Sequence, residues 1–150
     1  MPNDVADYAR TDAGLASLLR VSVARLNRRL RFERDPENEE LSVGQLSVLG
    51  VLSRNGELSV GELAAKERVR PPSMTRTVNC LADGGYVERR PHPTDGRQVV
   101  VSLSGKGERT LAADRRRRDA WLAQRLGELT PDERSVLRDA APILERLAHA

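Results

Sequence analysis

Apolar residues recur along this chain with a helical period that gives way only once. Leu15, Leu19, Ser22, Leu26 and Leu30 form one stripe, with Arg20, Arg28 and Arg31 off it, predicting an amphipathic helix over 15–32. "DPENEE" (Asp35–Glu40) ends it, with Pro36 as the breaker. Ser42 and Gln45 have the spacing of a capping box and open a second helix, whose buried side is expected to be Val43, Leu46 and Leu49. "RNGE" (Arg54–Glu57) closes it, and Ser59 with Glu62 repeats the box before a short helix to about Glu67.

Arg70-Pro71-Pro72 makes the next turn, because proline suits a first helical turn that needs no N–H. The helix over 71–83 buries Met74, Val78 and Leu81, and Gly84-Gly85 stops it by admitting a left-handed backbone. Here the period changes to two. "YVERR" and "QVVVSL" read as strands around "PHPTDG", with Val87, Val99, Val101 and Leu103 inward and the arginines outward. Helix resumes from Ser104 to Leu126 with Leu111, Trp121, Leu122 and Leu126. Thr130 and Glu133 make a third capping box before a helix carrying Val136, Leu137, Ala140, Ile143, Leu144 and Leu147. Pro142 inside that helix predicts a kink near 138–142.

Charge sharpens this picture. Between Lys66 and Arg97 seven basic residues face four acidic ones, so that segment holds the whole net charge of +3. A basic concentration beside a short helix, a tight turn, a second helix and a hairpin fits a DNA binder. The major groove admits a helix whose outer side chains reach base edges. With Met74, Val78 and Leu81 as the buried centre, Arg76 and Asn79 lie nearly opposite and Ser73 and Thr75 flank them. Arg76 suits guanine or phosphate, Asn79 suits adenine, and Ser73 and Thr75 suit phosphate at the helix start. Arg68 and Arg70 precede the helix as further phosphate candidates, and Arg89 and Arg90 follow it.

"RPPSMTRTVNCLADGGYVERRPHPTDGRQVVVSLSGKG" resembles the winged helix-turn-helix core of the MarR family of bacterial transcription regulators. The likeness includes "GYVERR", the Asp-x-Arg at Asp95 and Arg97, and "VSLSGKG", and with the flanking helices it covers about residues 15–148. It implies a mostly α fold with a β-hairpin wing and an obligate homodimer joined by N- and C-terminal helices. It also implies double-stranded DNA as partner, two recognition helices in successive major grooves of a pseudo-palindrome, and Arg97 in the minor groove. Asp95 is then the wing aspartate, bracing the hairpin through charged pairing. A small effector often binds such proteins between the dimer-forming and DNA-binding lobes. The expected organisation is a flexible arm over 1–14, a dimerisation region over 15–40 and 105–150, and a DNA-binding domain over 41–104, with the wing over 86–103.

The remaining features narrow the alternatives. No run of about 18 apolar residues exists to span a membrane. "MPNDVADYAR" lacks the pattern of a secretory signal. The single cysteine, Cys80, excludes an intrachain disulfide, fits a reducing cytoplasm, and reads as structural filler. "RRRR" at Arg115–Arg118 reads as a solvated or salt-bridged stretch, and His92 as a solvent or phosphate neighbour. No HExxH, paired cysteines, Gly-rich phosphate loop or G-x-S-x-G motif supports a metal, cofactor or enzyme. The competing reading is a winged-helix protein-interaction module that has lost specific DNA binding. Arg76, Asn79 and Arg97 discriminate, because such a module needs none of them.

Overall fold

The computed structural model describes residues 7–33 and 41–150; the break at Pro36 and the first six residues of the arm lie outside the described residues. Its elements are α1 (Asp12–Phe32), α2 (Val43–Asn55), β1 (Leu58–Ser59), α3 (Val60–Glu67), α4 (Pro71–Asp83), β2 (Val87–Pro91), β3 (Val99–Leu103), α5 (Gly105–Gly127) and α6 (Pro131–Ala148). They divide into two compact units, Arg34–Arg117 and Met1–Glu33 with Arg118–Ala150. The division between these two units falls inside α5. The physical reason is that Gly107, Thr110, Leu111 and Asp114 are buried in the first turns of α5, and Leu111 joins the winged core.

In the winged unit α2 is the central helix. Leu46, Val48, Leu49, Gly50, Val51 and Leu52 are all buried, whereas Val43 is 44% exposed. The buried set thus wraps around the helix, and the single stripe with Val43 is corrected. The capping box at Ser42 is complete: Gln45 N donates to Ser42 Oγ and Ser42 N to Gln45 Oε1, at 3.1 and 2.8 Å. The box at Ser59 is only half made. Glu62 N donates to Ser59 Oγ, but that hydroxyl donates in turn to Glu62 Oε1. Ser59 N belongs to a strand instead.

That strand, β1, is two residues long and pairs antiparallel with β3, giving a sheet of order β1-β3-β2. The register sets Val87 opposite Leu103, Arg89 opposite Val101 and Arg90 opposite Val100. Val101 is fully buried, but Val99 is 39% exposed near the wing's end, where the core no longer reaches it. Val100, on the other face, is buried instead.

The stop of α4 has a specific geometry. Gly84 keeps right-handed dihedrals, and Gly85 takes the positive φ of 78°. Gly85 N donates to Ala82 O and Tyr86 N to Leu81 O, the paired bonds of a Schellman stop. Ser104 ties this turn to α5: its Oγ donates to Gly85 O and accepts from Gly107 N. Lys106 donates to Gly84 O at 2.7 Å and lies 4.4 Å over the Tyr86 ring.

In the other unit α1 starts at Asp12, inside the expected arm, because Thr11 Oγ1 accepts from Gly14 N and caps it. Trp121 stacks with Arg29 at 4.6 Å and Arg125 at 5.9 Å. The Thr130–Glu133 box is complete, and α6 runs unbroken through Pro142.

Gly107 is the tightest constraint in the winged unit, since a Cβ there would meet Tyr86 O at 2.1 Å. Gly107→Ala should destabilise the chain by about 1–3 kcal/mol. Gly96→Ala, where nothing lies within 4 Å, serves as the control. Urea titration of both variants checks this; equal midpoints would refute the constraint.

Candidate nucleic-acid interface

The exposed side of α4 follows from its buried side. Met74, Val78 and Leu81 are buried, and Arg76, Asn79, Cys80 and Thr75 are exposed, with Ser73 half-buried. Cys80 is a free, exposed thiol on this side. Pro71 and Pro72 occupy the first helical positions behind the N-cap Arg70, whose side chain makes no capping bond. Thr75 Oγ1 spends its proton on Pro71 O at 3.0 Å, so its hydroxyl is left only as an acceptor. Arg68, the C-cap of α3, takes a left-handed conformation with φ 54° and is exposed, as is Arg70. Two cations therefore bracket the turn between α3 and α4.

A cleft of about 690 Å³ separates α4 from the wing, lined by Glu62 of α3, Thr75 and Asn79 of α4, and Arg89, Arg97 and Gln98 of the hairpin. The sheet register directs Arg89 to this side, since it shares a face with Val87 and Val101. Its Nη1 donates to Asn79 Oδ1 at 2.5 Å. Arg90 points to the opposite face, the one that carries Val100, and its guanidinium pairs with Glu57, just ahead of β1. Arg90 therefore does not join the cleft, unlike the other arginines of the hairpin.

The wing's loop is held by hydrogen bonds, not by the charged pairing expected of Asp95. Asp95 Oδ1 accepts from Arg97 N at 3.1 Å and Oδ2 from Gln98 Nε2 at 3.3 Å. No ion pair to Asp95 is present among the described residues. His92 does the complementary work, its Nδ1 accepting from Thr94 N and Asp95 N at 3.2 and 3.1 Å. His92 is thus a structural member of the turn as well. Arg97 itself is exposed.

A profile of the MarR family matches residues 40–98. The HTH-type transcriptional regulator Mb0904 of Mycobacterium bovis is 52% identical over 134 residues, 89% of this chain and 92% of that protein. The chain belongs to the MarR family of transcriptional regulators. The HTH-type transcriptional repressor MdtR of Bacillus subtilis is 30% identical over 114 residues, 76% of this chain and 72% of that protein. A crystal structure of a transcriptional regulator from Pseudomonas aeruginosa PA01 is 38% identical, with a TM-score of 0.78 covering 94% of this chain and 98% of that one. The chain is thus a DNA-binding winged helix-turn-helix regulator and not an enzyme. No helix among the described residues is long and apolar enough to cross a membrane.

Within this MarR-family core, sequence reasoning missed Glu57, His92 and Lys106. Only the Pro-His-Pro-Thr-Asp run offered a signal for one of them, through its turn chemistry. Asp95→Ala should release the Arg97 amide, whose hydrogen exchange should speed up roughly tenfold for the loss of one charge-assisted bond. Amide exchange followed by NMR measures this; an unchanged rate at Arg97 would show that Asp95 does not brace the loop.

Proposed function

We propose that this regulator works as a homodimeric repressor that reads a pseudo-palindromic operator, with α4 in the major groove and the β2–β3 wing in the minor groove. The observation that carries this reading is the outward row of α4, Thr75, Arg76 and Asn79, exposed beside an exposed wing Arg97 while the helix's other side is buried. In it Arg76 and Asn79 face base edges. Arg68, Arg70 and Ser73 hold the phosphates at the start of α4, Thr75 meets the groove as an acceptor because Pro71 O takes its proton, Arg89 borders the cleft, and Arg97 enters the minor groove. Repression is favoured by the likeness to MdtR, itself named a repressor.

The dimer is supported by α6, none of whose residues is buried. Val136, Leu137, Ile143, Leu144 and Leu147 are 39–66% exposed along it, and Leu15, Val23, Leu26 and Phe32 of α1 are 45–75% exposed. A two-fold pair presents two α4 helices to half-sites about 34–36 Å apart. A small effector that prefers another spacing would weaken operator binding by its differential affinity alone.

Gel shifts with the DNA upstream of the protein's own gene test the reading. Saturable binding with a steep salt dependence is expected; failure to bind at low salt would favour a protein-interaction module. Arg97→Ala should weaken binding to all sequences alike and lower the salt slope by about one. Asn79→Ala should relax preference at one base pair per half-site by about 1–3 kcal/mol. Ile143→Glu should sediment as a monomer and lose at least about a hundredfold in operator affinity, because the second half-site no longer binds intramolecularly. A dimeric Ile143→Glu protein with parental affinity would count against α6 as the interface.

A further inference from the structure

Of the six helices described above, all but α4 begin on a hydroxyl residue. Thr11, Ser42, Ser59 and Thr130 cap α1, α2, α3 and α6, and Ser104 Oγ accepts from Gly107 N at the start of α5. α4 begins on Arg70, which makes no side-chain cap. Left-handed backbone shows a second exception. Three of the described residues take a positive φ, and two are glycines, Gly56 at 75° and Gly85 at 78°. The third is Arg68, at 54°. Both exceptions fall in the short turn that joins α3 to α4, and both are arginines. Local rules broken twice in one turn point to a use outside the fold.

Neither arginine is compensated within the chain. Both are exposed, and neither side chain makes a hydrogen bond, ion pair or ring contact among the described residues. The stop of α3 does not need an arginine. Val69 N donates to Ala64 O at 3.0 Å and Arg68 N to Ala65 O at 3.2 Å, backbone bonds that a glycine would keep. The start of α4 has also lost the usual means by which a helix holds an anion. Pro71 and Pro72 carry no N–H, and Ser73 N and Met74 N both donate to Arg70 O, at 3.0 and 3.1 Å. The free amides that draw phosphate to other helix starts are therefore missing here.

We propose that the turn between α3 and α4 is a phosphate clasp made by side chains alone, in which the guanidiniums of Arg68 and Arg70 replace the missing amides on the backbone of duplex DNA; this rests on the DNA-reading role of α4 proposed above. A glycine at 68 or a serine at 70 would make a more stable turn with no cation to offer. The left-handed backbone crowds the Cβ of Arg68, and the arginine at the N-cap forgoes a capping bond. A guanidinium grips phosphate through paired N–H donors, and its charge makes the contact sensitive to salt. Such a contact sets affinity and register without reading bases. Stability and DNA affinity therefore oppose each other at this turn, and restoring either local rule should move them in opposite directions.

Urea titration, and binding to the DNA upstream of the protein's own gene across a series of salt concentrations, test this on the full-length chain. Arg68→Gly should raise the folding equilibrium constant about fivefold yet bind DNA more weakly, with the salt slope lower by about one. Arg70→Ser should do the same through a new cap. Arg68→Ala removes the cation but keeps the crowded backbone, so it should lose the same slope with no gain in stability. Arg68→Lys should keep both the slope and the stability of the parent. An Arg68→Gly protein that binds with the parent's affinity and slope would overturn the clasp. So would one no more stable than Arg68→Ala, because the left-handed arginine would then oppose nothing. A parent that fails to bind this DNA even at low salt would sink the DNA-reading role, and the clasp with it. A parent that binds, beside variants that bind as it does, would sink the clasp alone.

Discussion

Met74, Val78 and Leu81 fix α4 about its own axis, at 2%, 1% and 0% exposure. Burying each is worth roughly 1.5–3 kcal/mol, so rolling the helix by one residue, about 100°, would forfeit several kcal/mol at once. The outward row of α4 is consequently not a choice made at the surface. It is the remainder left when the core takes its stripe. The Schellman stop at Gly85 and the close approach of Gly107 to Tyr86 then fix where the helix ends and where the hairpin begins. Arg89 can meet Asn79 only because both ends of that connection are set.

The period of two in β2 and β3 has an analogous effect at the wing. Successive arginines are sent to opposite faces, Arg89 to α4 and Arg90 to Glu57. Two adjacent residues of one type thus have unrelated roles. Arg90 with Glu57 clamps the hairpin to the chain leading into β1. Arg89 stays with α4. A charge tally treats both alike, which is why composition could flag this region but not sort its members.

What was legible in the sequence follows the same division. The stripe of α4, its proline start, its glycine stop and the switch of period at Tyr86 are repeating local signals, and they located the helix-turn-helix and its wing. The MarR-type likeness added Asp95 and Arg97. Three kinds of information were not local. β1 is two residues long and exists only because β3 lies beside it. Val43 loses burial and Val48 and Val51 gain it because α2 is surrounded rather than packed on one side. The Asp95 carboxylate turns to backbone and amide donors, with His92 beside it, because the loop folds back within a few residues and brings those N–H groups nearest. Each depends on a neighbour that a single window of sequence does not contain.

The two units differ in how far each completes its own core. The winged unit closes around Leu49, Leu63, Leu81 and Val101, all with no exposure. In the other unit α1 buries only Gly14 and α6 buries nothing. A capped amphipathic helix with an exposed apolar side is costly to leave in water, since each large side chain on it forgoes the burial that would offset its ordering. The complete capping box of α6 specifies the helix before anything covers it. A pre-formed helix with an unfilled side is what a second chain can use without first ordering it, and that lowers the entropic cost of association. The winged unit has no such deficit and can present its polar row to another polymer. The same chain therefore divides its surface by chemistry. Its apolar excess lies at the two ends, available for pairing. Its cationic, hydrogen-bonding excess lies in the middle, where Arg68, Arg70, Arg76 and Arg97 are all exposed.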